Sequence, residues 1–421
     1  MTASEQLAQF AAGSKALSGL CREYKKESAT VHLKELVGGA LSFYAAAAVA
    51  KTGGVHIFVA EDRDAAAYLL NDFYNLLDEK QVYFFPSSYK RSAAYGAEDA
   101  QGVVQRTAAM NAVRGFTKGY LVVCTYPEAL AERVVDAATL QRDTIAVKLG
   151  DKISIAVLED ALADANFTRV DFVYEPGQYS VRGGIVDVFS YSESKPYRID
   201  FFGDEVDSIR RFNISSQLSA DKLDRVEIVP NLNAGEAPRV SFVQFAGSGA
   251  TCWFYDADYV LRRVNDLRRK VLADMEEPGQ IDRLLTSRNV LLRDMAGNSV
   301  VALRDNLPER PATAAVVFDT APQPKFNKNF EMLADDMIRN SLRGYATYIL
   351  SENKVQVERL ENIFHQIGRG QAAVRSLSVT LHEGFVDNDL KLCLYTDHQI
   401  FDRYQRYRIN GEIRRDEQMT V

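Results

Sequence analysis

Hydrophobic and polar positions follow two different periods in the first third of this chain, one typical of helices and one typical of buried strands. Three stretches with helical spacing alternate with three short apolar stretches. The helical stretches cover residues 33–50, 64–77 and 97–113, and the apolar stretches cover residues 55–60, 81–85 and 120–124. Because helices alternate with strands, we predict an α/β fold with a parallel sheet covered by helices.

The pattern changes near residue 137. Five short strands, separated by turn residues, accompany one helix. The strands cover residues 145–149, 172–175, 185–189, 197–202 and 206–212, and the helix covers residues 158–165. This composition predicts a small α+β domain, residues 137–229, inserted into a larger one.

Beyond residue 230 the alternation of helix and strand returns. Strands are predicted at residues 251–255 and 315–318, and a helix at residues 257–273. We therefore predict one discontinuous first domain, made of residues 1–136 and 230–322. The strand at Cys252 should then join the sheet that begins at Val55.

The last part of the chain predicts a further unit. Helices at residues 330–342 and 355–367 alternate with strands at residues 344–351 and 391–396. This favours a small C-terminal α/β domain over residues 323–405. Residues 406–421 are polar and charged, and we interpret them as a linker.

The strand at residues 197–202 has a face that could bind a partner. Period two places Arg198, Asp200 and Phe202 together, opposite a more apolar set. Arginine beside an exposed aromatic ring is typical of interface hot spots. The alternative is that a neighbouring element buries Phe202 and that Arg198 pairs with Asp200 or with an acid on the next strand.

Composition excludes several classes of protein. Hydrophobic residues make up 47% of the chain, as in ordinary globular proteins, and the net charge of −7 argues against a chain built around nucleic-acid binding. The longest apolar run, residues 45–50, is too short to cross a membrane. The start of the chain lacks the pattern of a secretion signal, so we expect a cytoplasmic protein without a membrane partner.

Cysteine and histidine patterns give no metal site. The four cysteines lack the spacing of zinc ligands, and we expect them to be reduced and buried: Cys21, Cys124, Cys252 and Cys393. His382 precedes Glu383, but a second histidine at helical spacing is missing from the sequence. We therefore expect neither a metal nor another cofactor.

Two neighbouring motifs identify a family. Residues 176–189 read PGQYSVRGGIVDVF, and residues 196–210 read PYRIDFFGDEVDSIR. They resemble the segment shared by the excision-repair protein UvrB and the transcription-repair coupling factors. In that family the segment is the docking site for UvrA. The resemblance implies that Arg182, Arg198 and Phe202, which match motif positions, contact UvrA.

The resemblance extends into the last part of the chain. Residues 382–387 and 392–402 are similar to the third domain of the coupling factors, and residues 334–336 and 348–351 fit its earlier half. It implies that the chain is an N-terminal region, whose full-length parent also carries an RNA-polymerase-binding domain and an ATP-dependent motor that moves on double-stranded DNA.

The resemblance also implies a first domain related to that of helicases and UvrB, with a degenerate P-loop. UvrB carries G-x-x-x-x-G-K-[ST] before the first alanine-rich helix, and a lysine there holds phosphates. Here Gly38, Gly39 and Ser42 remain, but Ala40 replaces a glycine and Leu41 replaces the lysine. We therefore expect this chain not to be an enzyme.

The loop at residues 86–96 lies where UvrB has a longer DNA-clamping hairpin. It contains Tyr89, Lys90, Arg91 and Tyr95, which could stack on bases, but its length favours an ordinary loop.

The sequence thus predicts a non-catalytic docking module of transcription-coupled nucleotide excision repair that recruits UvrA to RNA polymerase stalled at DNA lesions. One alternative is a UvrB-like damage-recognition enzyme that binds ATP and DNA, and another is a DNA-binding module. A third, that the module restrains its own motor, is compatible with docking.

Overall fold

The computed structural model describes residues 2–89, 98–233, 237–275 and 277–403. The predicted linker at residues 406–421 lies outside this range, and so do Lys90, Arg91 and Tyr95 of the loop at residues 86–96.

The described part of the first 136 residues contains six helices, five strands and a short 3-10 turn at Glu79–Gln81. The helices are α1 (Ala3–Ala12), α2 (Lys15–Tyr24), α3 (Ala40–Thr52), α4 (Arg63–Leu76), α5 (Ala100–Gly115) and α6 (Pro127–Ala131). The strands are β1 (Thr30–Lys34), β2 (Gly54–Val59), β3 (Val82–Phe84), β4 (Tyr120–Thr125) and β5 (Val134–Val135). Thr2 and Glu5 form a capping box that starts α1.

Residues 137–229 contain two helices and eight strands. The helices are α7 (Ala137–Asp143) and α8 (Ile155–Asp164). The strands are β6 (Ile145–Lys148), β7 (Thr168–Arg169), β8 (Gln178–Arg182), β9 (Ile185–Val188), β10 (Tyr197–Phe202), β11 (Glu205–Phe212), β12 (Ser219–Leu223) and β13 (Arg225–Ile228). Ser154 caps α8 by accepting a hydrogen bond from the N–H of Val157.

The described residues after 229 contain nine strands and seven helices. The strands are β14 (Arg239–Val240), β15 (Thr251–Phe254), β16 (Ser299–Ala302), β17 (Ala314–Val317), β18 (Thr320–Pro322), β19 (Ala346–Leu350), β20 (Ser376–Leu377), β21 (Phe385–Asp387) and β22 (Leu392–Thr396). The helices are α9 (Phe242–Ala246), α10 (Ala257–Asp274), α11 (Ile281–Leu284), α12 (Arg288–Asp294), α13 (Phe330–Leu342), α14 (Lys354–Gln366) and α15 (Asp397–Ile400), with a 3-10 turn at Pro278–Gln280.

A seven-stranded parallel sheet organises the first domain, in the order β17-β1-β16-β15-β2-β4-β3. Its strands come from both sides of residues 137–229. The pairing expected near Cys252 is present, since β15 lies beside β2 with Cys252 opposite Ile57. An α/β fold with a large parallel sheet is thereby confirmed.

A second sheet lies within residues 137–229, in the order β12-β11-β10-β9-β8-β7. One face packs against α8, through Leu158 and Leu162, and forms a buried cluster of its own. This cluster draws its residues from positions 145–228, whereas Leu140 on α7 belongs to the larger core under the parallel sheet. Strands β6 and β13 pair with each other where the chain enters and leaves this unit.

The last unit is a five-stranded sheet, β18-β21-β22-β19-β20, with α13 and α14 packed together beside it. Phe364 and Tyr395 belong to its own buried cluster. Phe385 and Leu394 instead join the large core of the parallel sheet. The last unit is therefore pressed against the first domain over an apolar face.

Two local predictions were wrong. The helix predicted at residues 33–50 starts at Ala40, because the preceding residues up to Lys34 form β1 between β16 and β17. The strand predicted at residues 172–175 is absent. The backbone N–H groups of Tyr174 and Glu175 bind the side chain of Gln178 instead of a neighbouring strand.

The four cysteines are free and buried, as expected from their apolar surroundings. Among the described residues, no helix is both long enough and apolar enough to span a membrane.

Candidate functional site

The outer face of the second sheet carries a row of polar side chains. The strand register aligns Ser180, Asp187, Arg198, Arg210 and Lys222 across five neighbouring strands. The opposite face supplies the apolar residues that pack on α8. Strand alternation therefore separates a buried face from a charged one, as the sequence predicts for β10.

Asp187 is the centre of this row, and its side chain is almost fully buried. Arg198 donates two hydrogen bonds to it, from Nε to Oδ1 at 2.7 Å and from NH2 to Oδ2 at 2.8 Å. Arg182 donates a third, from NH2 to Oδ2 at 2.6 Å. One carboxylate thus holds two guanidinium groups, and the cluster keeps a net positive charge.

Arg198 is more enclosed than the sequence predicts. Its side chain is 15% exposed, and its guanidinium carbon lies 4.4 Å from the centre of the Phe212 ring. The hydrogen bonds to Asp187 raise the pKa of Arg198. The alternative that Arg198 pairs with an acid on the next strand is therefore correct, and Arg198 keeps only part of its side chain in contact with solvent.

Arg182 lies at the rim of the cluster. Its side chain is 37% exposed, and NH1 donates to the carbonyl oxygen of Asp171 at 3.0 Å. Its guanidinium carbon is 4.7 Å from the centre of the Phe172 ring, which is itself 48% exposed. Arg182 therefore offers both a charge and a supported planar surface to solvent.

Phe202 stands in solvent at the end of β10. The residue is 83% exposed, whereas the preceding Phe201 packs against the buried cluster of this unit. Gly203, with φ of 61°, turns the chain into β11. The alternative that a neighbouring element buries Phe202 is therefore wrong.

The Gly183–Gly184 turn packs against the end of β10 that carries Phe201 and Phe202. Arg182 ends the strand before this turn, and the N–H of Phe201 donates to the carbonyl of Gly184 at 2.8 Å. A Cβ on Gly184 would lie 3.0 Å from the carbonyl oxygen of Phe201, so a glycine permits this approach. Arg182 on β8 and Arg198 and Phe202 on β10 lie on strands that flank β9 in the same sheet, and we name these three residues the docking patch.

The glycine loop, residues 35–42, has different surroundings. Gly38 adopts φ of 57°, and Gly39 starts α3 without a side-chain cap. A Cβ on Gly39 would come within 2.0 Å of the carbonyl oxygen of Glu383, which belongs to the last unit. The glycines here accommodate another segment of the same chain.

Ser42 faces inward from this loop. Its hydroxyl donates to Oδ2 of Asp72 at 2.6 Å, and the backbone N–H of His382 donates to Oδ1 of the same carboxylate at 2.7 Å. Burial raises the pKa of Asp72 to about 7. Leu41 lines a cavity beside the loop.

The roles of two further residues, Asp187 and Phe172, were not predicted from the sequence. Asp187 lies opposite Arg198 on the neighbouring strand, and the spacing between the two motifs could have indicated this pairing. The sequence predicts a strand at Phe172, whereas Phe172 lies in a bend and its ring packs against the guanidinium group of Arg182.

Of the loop at residues 86–96, the described Ser87 and Ser88 bind the carboxylate of Glu132.

Residues 145–233 match the family model described as the UvrB interaction domain. The resemblance carried by the two motifs is thereby confirmed. The match covers the second sheet, its buried cluster and all three residues of the docking patch.

Several proteins named transcription-repair-coupling factor are similar to part of this chain. Those from Bacillus subtilis strain 168 and Escherichia coli strain K12 are each 27% identical over 199 residues, which is 47% of this chain and 17% of the relative. One from Haemophilus influenzae is 35% identical over 101 residues, which is 24% of this chain and 9% of the relative. The matches span less than a fifth of these relatives, and together they support an N-terminal region of a transcription-repair coupling factor, Mfd.

Proposed function

We propose that this chain is a non-catalytic docking module of transcription-coupled nucleotide excision repair. Its docking patch binds UvrA and thereby recruits it to RNA polymerase stalled at a DNA lesion. The full-length parent is an ATP-dependent translocase that also binds RNA polymerase and double-stranded DNA. The observation that carries the proposal is that one sheet, within the region that matches the UvrB interaction domain, carries both the exposed Phe202 and a net positive arginine pair.

The three patch residues have different tasks in this proposal. Phe202 supplies apolar area that loses water on binding, and Arg182 supplies the accessible charge for a carboxylate of UvrA. Arg198 holds Asp187 and through it orients Arg182, since both guanidinium groups share that carboxylate. The main task of Arg198 is therefore to hold Arg182 in place, and direct contact with UvrA is the smaller part of its role.

We propose further that the glycine loop is a degenerate P-loop within a first domain like that of UvrB and helicases. Leu41 offers no charge to a phosphate. The backbone of Glu383 and Gly384 lies against Gly38 and Gly39, on the surface that a phosphate-binding loop keeps open. These two features support a chain without ATPase activity, inside a discontinuous domain of residues 1–136 and 230–322.

UvrA binding tests the docking proposal. Immobilised UvrA should retain the parent chain and release a variant that combines Arg182→Ala with Phe202→Ala. Leu342→Ala is a matched control, because Leu342 is 85% exposed, like Phe202, but lies on the last unit. A parent chain that fails to bind UvrA, or a double variant that binds equally well, would contradict the proposal.

Nucleotide binding tests the enzyme alternative. Titration calorimetry with Mg-ATP should show no saturable heat in the concentration range of functional sites, with dissociation constants of about 1 to 10 μM. A clear isotherm in that range would restore the UvrB-like enzyme as the better interpretation.

A further inference from the structure

A half-open cavity of about 380 Å³ lies beside the glycine loop. It opens at one edge of the parallel sheet, where residues just beyond the ends of four adjacent strands line it. These residues are Leu36 after β1, Ala60 after β2, Tyr255 after β15 and Leu303 after β16. The carboxyl edge of a parallel sheet is where open α/β folds bind ligands, and the volume suits a small organic molecule.

The walls of the cavity are largely apolar and aromatic. The ring of Tyr68 stacks on that of His382 with centroids 3.7 Å apart, which joins the first domain to the last unit at the cavity wall. Trp253, stacked on Phe58 at 4.9 Å, forms another wall. Flat aromatic surfaces favour a planar ligand and attract a cation held near a ring face.

The charges around the cavity are negative. The carboxylates of Glu61 and Glu383 line it, the buried Asp72 is partly protonated near neutral pH, and none of its described lining residues is a lysine or an arginine. Arg304 approaches from outside, where its guanidinium lies 5.7 Å from the Tyr255 ring centre and 3.7 Å from the Asp256 carboxylate. A phosphate would be repelled here, whereas a cation would be attracted.

We propose that this cavity binds a small planar aromatic cation, such as an amidinium or a protonated amine on an aromatic body. The ring lies between the aromatic walls, and the charged group faces the carboxylates of Glu61 and Glu383. The inference does not depend on the docking patch or on UvrA, because the cavity lies on the first domain and the last unit.

Trp253 makes the test direct, since it is the single tryptophan of the chain. Benzamidine, benzamide and benzoate have nearly the same shape but carry a positive, a zero and a negative charge. Benzamidine should change the fluorescence of Trp253 with saturation at a dissociation constant of about 1 mM, a realistic affinity for so small a probe. Benzamide should bind about tenfold more weakly, and benzoate should give no saturation.

Variants locate the charge that selects the probe. Glu383→Gln and Glu61→Gln should each weaken benzamidine binding about two- to fivefold, as expected for partly solvated ion pairs. Leu41→Lys should abolish it by placing a cation in the cavity wall. Glu358→Gln, an exposed carboxylate change on α14 away from the cavity lining, should leave the affinity unchanged.

Three results would overturn the proposal. These are no saturable change with benzamidine up to about ten times the expected dissociation constant, equal binding of the three probes, or tighter binding of Mg-ATP than of benzamidine. Melting curves of each variant separate loss of binding from loss of folding. The UvrA assay is independent, so failure of one inference leaves the other standing.

Discussion

Two glycine pairs of this chain differ in their surroundings, one open to solvent and one covered by another segment. Gly183–Gly184 turns the chain at the surface, where space remains open around Gly183 and Phe202 projects into solvent. Gly38–Gly39 is closed, because the backbone of Glu383 and Gly384 lies directly upon it. A glycine pair thus permits close approach in both places, to a neighbouring strand in one and to a distant segment in the other. The difference lies in what surrounds each pair: an exposed side chain at Gly183–Gly184, and another segment of the same chain at Gly38–Gly39.

The largest effect should come from closing the space at Gly39. Gly39→Ala would place a methyl group 2.0 Å from the carbonyl oxygen of Glu383, which requires backbone movement. We expect the free energy of unfolding to fall by about 3 kcal/mol or more, as in severely overpacked sites. Denaturant unfolding followed by circular dichroism measures this change.

Gly19→Ala is the matched control for that experiment. Gly19 lies within α2, and a methyl group added there would have no other atom within 4 Å beyond its own helix backbone and chain neighbours. Alanine should stabilise the helix there by about 0.5 to 1 kcal/mol. Equal responses at Gly19 and Gly39 would contradict the closed state of the glycine loop.

Phe202→Ala should have the second largest effect, and it should appear in binding. We expect affinity for UvrA to fall by about 2 kcal/mol, roughly thirtyfold, because an exposed aromatic anchor is lost. Stability should change by no more than about 0.5 kcal/mol, as at other surface positions. Calorimetric titration with UvrA and a melting curve separate the two, and a large fall in melting temperature would place Phe202 in the core.

The pH dependence of the free energy of unfolding tests the surroundings of the glycine loop, because the carboxyl group of Asp72 is buried there. Burial raises the pKa of Asp72 to about 7, above the ordinary carboxyl value, so the folded state binds more protons than the unfolded state across the interval between the two. The free energy of unfolding contributed by Asp72 should therefore fall by about 2 kcal/mol as the pH rises from about 5 to about 7. Asp72→Asn should remove this slope, and parallel curves for parent and variant would argue against it.

Arg198→Lys should have the smallest effect. Lysine cannot reproduce the two hydrogen bonds to Asp187, so we expect a loss of about 0.5 to 1 kcal/mol in the free energy of unfolding. UvrA binding should weaken slightly, because Arg182 loses part of its support. A binding loss as large as that of Phe202→Ala would instead show that Arg198 contacts UvrA directly.

The sequence predicted the strands of the docking patch better than their side-chain contacts. Residues 197–202 form β10 as expected, since strict alternation and the adjacent turn glycines specify both strand and face. The burial of Arg198 was not predictable from β10 alone, because it depends on Asp187 from β9 and Phe212 from β11. Phe202 could be recognised as a candidate because its face was set by alternation.

The glycine loop shows a different limit. The loss of lysine at Leu41 is visible in the sequence, but the segment that covers Gly39 comes more than 300 residues later. Local pattern could not reveal that contact. The helix predicted from residue 33 failed for the same reason, since β1 forms through pairing with β16 and β17 from the far side of the insertion.

The pairing of β6 with β13 gives the inserted unit a narrow stem. Ile145 lies opposite Ile228, so the chain leaves the first domain and returns to it at neighbouring positions, about 5 Å apart as in any paired strands. Because the unit between these positions has its own buried cluster, we expect it to fold independently of the rest of the chain. Cutting at the stem and joining the ends through a short turn should leave a foldable host, and the excised unit should carry its binding surface into an unrelated scaffold.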